Sequence, residues 1–159
     1  MQNDLNIEFD FCDYTNHIHR QNLITLINLY MVDPMGSHEP HDNASSEELV
    51  NGLAAHPSSF VLFAKINKQY VGLVTCFINF STFKAKSYLN IHDVVVIKEF
   101  RGKNIGRKLL EKCIETAKER GYCKITLEVR DDNTAAKSLY RSLDFMECEP
   151  VMHFWTKVL

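Results

Sequence analysis

The chain has 159 residues, 45% hydrophobic and 24% charged, a composition that fits one soluble globular domain over residues 1–159. No run of about 18 apolar residues occurs, so no membrane partner is expected, and the start MQNDLNIEFDF lacks the basic-then-apolar order of a signal peptide. The formal net charge is -2, and the five cysteines are scattered without a CxxC pair, which argues against a disulfide framework or a zinc site and for a reduced, cytoplasmic setting.

Residues 5–11 alternate Leu5, Ile7, Phe9 and Phe11 with polar side chains, the period of a strand. A helix is predicted over residues 14–31, with Asp13 as N-cap and Ile24, Ile27 and Tyr30 on one face. Pro34, Gly36 and Pro40 make residues 33–43 a loop. Ser45 and Glu48 form a capping box that starts a second helix, ending near His56 and Pro57. Residues 60–66 and 70–77 read as a hairpin turning at Asn67 and Lys68. Residues 89–97 include Val94, Val95 and Val96 and are apolar on both parities, as a strand buried on both faces would be.

The segment Arg101, Gly102, Lys103, Asn104, Ile105, Gly106 then leads into an amphipathic helix reaching about Arg120. Ile105, Leu109, Leu110, Cys113, Ile114 and Ala117 form its apolar stripe, and Gly121 stands at the C-terminal cap. A strand over 123–129, a short helix over 133–143 and a final strand over 151–158 complete the chain. The strand, turn, helix, strand order in the middle is a βαβ unit, whose strands should be parallel neighbours. With the hairpin before it, the expected fold is α+β in three layers: a mixed, mostly antiparallel central sheet with helices on both faces.

The turn at 101–106 has the chemistry of an anion site. A helix N-terminus presents unpaired amides and a partial positive charge. Gly102 and Gly106 lack a Cβ, and Asn104 tolerates positive φ. Arg101, Lys103, Arg107 and Lys108 add cationic groups. Neither a Walker loop nor GxGxxG fits the spacing. A plain basic turn between strand and helix is the simpler alternative.

This segment resembles the [Q/R]-x-x-G-x-[G/A] motif of the Gcn5-related N-acetyltransferases, with Asn104 in the first glycine slot. Downstream, Asn133-x-x-Ala136-x-x-Leu139-Tyr140 resembles that family's N-x-x-A-x-x-L-Y pattern. The resemblance implies an acyl-CoA N-acyltransferase fold and acetyl-CoA as co-substrate. It implies that main-chain groups of the amides at 101–106 hold the pyrophosphate, that Val94, Val95 and Val96 line the pantetheine arm, and that Asn133 contacts the co-substrate. It also implies that Tyr140 protonates the departing thiolate as a general acid. Anchoring of a helix by Tyr140 and N-capping by Asn133 are the ordinary alternatives.

The amine must lose a proton before it attacks. His92 falls where a spermidine/spermine acetyltransferase-like pattern would carry Glu, and Asp93 follows it. Strand alternation puts these side chains on opposite faces, so at most one should face the acceptor directly. Glu128 is a third candidate. The pairs His17/His19 and His38/His41 read as solvent histidines rather than metal ligands. No metal is expected.

Residues 1–60 hold nine Asp and Glu against one Lys or Arg, a balance of 1 - 9 = -8, while residues 61–159 hold eleven against seventeen, 17 - 11 = +6. Beside the resemblance, this split suggests an acidic acceptor side for a small cationic amine and a basic side for coenzyme A. Acetylation of a protein lysine or N-terminus, and a non-catalytic acetyl-CoA-binding module, are the alternatives. The acidic balance and the lack of a basic-aromatic surface disfavour nucleic acid. The apolar final segment suggests a homodimer.

Overall fold

The computed structural model describes residues 6–36 and 38–159. Leu5, the first apolar residue of the predicted opening strand, lies outside them. The chain divides into two compact units, one ending at Glu128 and the other Val129–Leu159. In order, the first unit holds β1 (Glu8–Phe11), α1 (His17–Met31), α2 (Asn43–Ala55), β2 (Ser59–Ile66), β3 (Gln69–Ser81), β4 (Lys86–Val96), a 3-10 turn (Lys98–Phe100), α3 (Ile105–Glu119) and β5 (Ile125–Leu127). The second holds α4 (Thr134–Arg141).

The strands form one sheet in the order β1-β2-β3-β4-β5, antiparallel except for the β4–β5 pair. The expected βαβ unit and mixed sheet are therefore present. The β2–β3 hairpin turns at Asn67 and Lys68, both at positive φ (49° and 67°), the geometry that matches strand twist in a two-residue turn.

Strand alternation sends side chains to two helical layers. On one face Leu23, Leu26 and Ile27 of α1 and Val50 and Leu53 of α2 pack with Val61, Phe63, Leu73 and Val95. On the other, α3 lies against β2, β3 and β4 and buries Ile105, Leu109, Leu110 and Cys113. Gly72 allows that contact. A Cβ there would stand 2.6 Å from the Val95 carbonyl oxygen and 3.2 Å from Leu109 Cδ1.

Several boundaries differ from expectation. Helix α1 starts at His17, capped by the Asn16 side chain, which accepts from the Ile18 amide. Asp13 instead accepts from the Thr15 amide and hydroxyl, closing a local turn before the helix. Helix α2 starts two residues before Ser45, because Asp42 accepts from the Ser45 amide and is the cap. Strand β5 is confined to Ile125–Leu127, and residues 151–158, expected as a strand, have no ladder partner and form no regular secondary structure. Among the described residues, no helix is long and apolar enough to cross a membrane.

Gly72→Ala should lower stability by about 1–3 kcal/mol, since the new methyl meets backbone rather than a flexible side chain. A urea denaturation midpoint equal to wild type would contradict that packing.

Candidate active site

The site begins with a break in strand register. Thr75 pairs with Asp93, and the next residue, Cys76, pairs with Ile91, so His92 is an extra residue on β4. Such a bulge re-aims the side chains beside it. His92 and Asp93 consequently line the same cavity, together with Thr75. The expectation that their side chains point to opposite faces is thus corrected: the bulge cancels the alternation on which it rested.

The bulge coincides with a second break. Strand β5 pairs with β4 only from Leu89 to Ile91. Beyond it, the β5-side edge of β4 has no strand partner among the described residues. Val94, Val95 and Val96 lie on that stretch. Val95 packs its side chain into the α1–α2 core, and Val94 and Val96 are half-buried. The Val96 carbonyl accepts from Arg101 Nε at 2.9 Å.

The strand then delivers the 101–106 turn. Gly102 and Asn104 take positive φ of 73° and 62°. Asn104 is the N-cap of α3 and its side chain makes no capping bond, so the first amides, which lack intrahelical partners, are not capped by it. This is the conformation expected from Gly102 and Asn104. The basic side chains are more committed than expected. Arg101 Nη2 donates to Asp33 Oδ2 at 2.8 Å, Lys103 Nζ stands 4.7 Å from the Phe100 ring centroid, and Lys108 pairs with Glu111 at 3.2 Å. The Met35 amide, and after it the Arg101 guanidinium, hold the Asp33 carboxyl below the usual carboxylate range despite burial.

The Asp33–Arg101 pair fastens the α1–α2 loop to the turn. Gly36 fits against α1 where a Cβ would lie 2.1 Å from the Tyr30 carbonyl oxygen, and the His41 amide donates to Asn28 Oδ1 at 3.0 Å. So held, the loop brings Met35, His38 and His41 to the cavity beside His92 and Asp93. The cavity measures about 430 Å³. His38, exposed as read from sequence, and His41, half-buried, both line the cavity. His19 is half-buried, accepting from the Asp13 amide and packing edge-on against Phe63 and Tyr70, so it too is structural. Glu128 is exposed just after β5 and is absent from the cavity wall. Among the described residues, no group of three or more His, Cys, Asp or Glu could hold a metal ion.

In the second unit, Asn133 caps α4, its side chain accepting from the Ala136 amide at 3.1 Å. Tyr140 is half-buried on the same helix, its ring 6.0 Å from that of Phe145.

Burial raises the Asp93 carboxyl above the ordinary 3.8, with His92 and Thr75 partly opposing. The folded chain therefore holds this proton more tightly than the unfolded chain. The stability this contributes is complete below about pH 3.8 and is lost as pH rises through the folded-state value. Asp93→Asn removes the titration. Its Tm should gain on wild type as pH rises from about 4 to about 7. A constant difference across that range would contradict a buried, proton-retaining Asp93.

The acetyltransferase (GNAT) family profile matches residues 23–145. An uncharacterised N-acetyltransferase of Archaeoglobus fulgidus is 41% identical over 90 residues, 56% of this chain and 61% of that protein. The thialysine N-epsilon-acetyltransferase of Bos taurus is 34% identical over 82 residues, 50% of this chain and 48% of that protein. The chain thus spans less than two thirds of the length of these relatives. Among solved structures, an aminoglycoside acetyltransferase from an uncultured soil metagenomic sample, in complex with sisomicin, superposes with a TM-score of 0.78 at 21% identity, over 96% of this chain and 97% of that one. That likeness concerns the fold. On the match across residues 23–145, the chain belongs to the acetyltransferase (GNAT) family.

Proposed function

We propose that this chain, acting as one catalytic domain, is an acetyl-CoA-dependent N-acetyltransferase that acetylates the primary amine of a small cationic metabolite by direct attack in a ternary complex. The observation that carries the reading is the meeting of His92 and Asp93 on one cavity, on the strand that ends at the 101–106 turn.

The residues present fit acetyl-CoA. The amides at the start of α3, with Gly102, Lys103, Asn104, Ile105, Gly106 and Arg107, suit a diphosphate. The unpartnered edge of β4 at Val94, Val95 and Val96 offers main-chain groups to an amide-bearing arm. Asn133, Ala136 and Tyr140 are assigned by the family motif.

The chemistry follows from side-chain types. An alkylammonium with an ordinary pKa of about 10.4 must give up a proton. His92 or Asp93 receives it, and burial makes Asp93 hold a proton more tightly than an ordinary carboxylate does. The amine nitrogen then bonds to the acetyl carbon, the carbon–sulfur bond breaks as Tyr140 donates its phenolic proton to the leaving thiolate, and the second proton lost by the acylated nitrogen restores the phenol through solvent. A backbone amide of the Val strand stabilises the transient oxyanion.

Thiol release should be followed against a panel of amines. Tyr140→Phe should lower kcat by roughly 10²-fold and change the KM for acetyl-CoA little. An unchanged kcat would remove Tyr140 from the mechanism. Acetyl-CoA binding without thiol release for any amine or peptide would point to a non-catalytic module, and release with peptides alone to a protein acetyltransferase.

The proposal includes a cytoplasmic homodimer. Its support is that all five cysteines are free and that Val151, Phe154 and Trp155 are exposed. Light scattering should give twice the chain mass, and Trp155→Arg should shift it to one chain. A monomeric wild type would overturn the dimer and leave the catalytic reading standing.

A further inference from the structure

The acidic half of the sequence does not supply the cavity. Asp10 pairs with Lys65, Glu47 with Arg20 and Asp33 with Arg101. Asp13 closes the turn before α1, and Asp42 caps α2. None of these carboxylates is a lining residue, and among the described lining residues Asp93 alone is a carboxylic acid. No Lys or Arg lines it either.

Much of the remaining wall is apolar, beside the hydroxyl-bearing Tyr30 and Thr75. Ile27 and Met31 come from α1, Met35 from the loop, Leu49 and Leu53 from α2, and Phe77 from β3. His38, His41 and His92 add imidazoles, which carry no negative charge in either protonation state. Such a lining can hold one ammonium against Asp93. A second ammonium placed elsewhere would be desolvated beside hydrocarbon or imidazole without a counter-ion, which is unfavourable. An apolar body in the same space would be dehydrated and packed.

We infer that the acceptor is a monoamine on an apolar aryl or branched-alkyl body, bound with its nitrogen at Asp93 and its body against Phe77, Leu49 and Met35. Polyamines and multiply charged aminosugars are poor acceptors. This rests on the transfer reading above and names the substrate class of the same site.

The test compares 2-phenylethylamine and isopentylamine with putrescine, spermidine and a lysine peptide, by thiol release at fixed acetyl-CoA. The apolar monoamines should have a kcat/KM roughly tenfold or more higher. Met35→Glu, which adds a second carboxylate to the wall, should move the ratio of putrescine to isopentylamine turnover upward by roughly tenfold. Leu49→Glu serves the same purpose if the first variant fails to fold. A polyamine or peptide preferred over both monoamines overturns the inference and leaves acetyl transfer intact. If no amine releases thiol, the transfer reading fails, and calorimetric binding decides the cavity separately. Tighter binding of 2-phenylethylamine than of spermidine then supports the inference, and the reverse order or no binding of 2-phenylethylamine overturns it.

Discussion

The extra residue at His92 governs the rest of the site. Without it, β4 would continue its alternation, and His92 and Asp93 would face opposite layers. With it, both side chains enter one cavity while the strand beyond runs on to Val96 and the 101–106 turn. Strand β5 follows β4 only as far as Ile91, the residue before the bulge. Backbone groups after that point have no strand partner on the β5 side among the described residues, and unpaired backbone is unfavourable when dry.

The same strand serves two opposed demands. Val95 is buried and packs against α1 and α2, and Asp93, two residues earlier, lines a cavity. Burial makes Asp93 reluctant to ionise. That is a cost to folding at neutral pH and an advantage for a proton acceptor, a trade common at active sites. The Asp33–Arg101 pair adds a second connection, tying the loop that walls the cavity to the turn suited to a diphosphate. Arg101 fastens the loop to the turn, whose backbone carries positive φ at Gly102 and Asn104.

What could be read from the sequence was what local chemistry dictates. The 101–106 turn was legible because Gly102 and Asn104 announce positive φ, and α3 because its apolar stripe keeps a helical period. Asn133 as a cap was legible for the same reason. The bulge was not. Two adjacent polar residues, His92 and Asp93, ahead of the apolar run 94–96 fit a regular strand as readily as a bulged one, and the bulge exists only in the register with β3. The role of His38 and His41 was hidden because a loop's position over a sheet is a tertiary property. The α1 cap was misplaced because Asp13 and Asn16 are equally good caps and only the fold chooses. The charge split of the two halves does not say which carboxylates are already engaged by Lys65, Arg20 or Arg101, because ion pairing is a tertiary property.

The most direct measurement is a crystal structure of the protein grown with acetyl-CoA. The diphosphate should sit on the amides at the start of α3, the pantetheine arm should follow Val94 to Val96, and the acetyl group should end beside the bulge, open to the cavity at His92 and Asp93. Coenzyme A bound away from the 101–106 turn, or an acetyl group separated from that cavity, would contradict a transfer site built on the bulge.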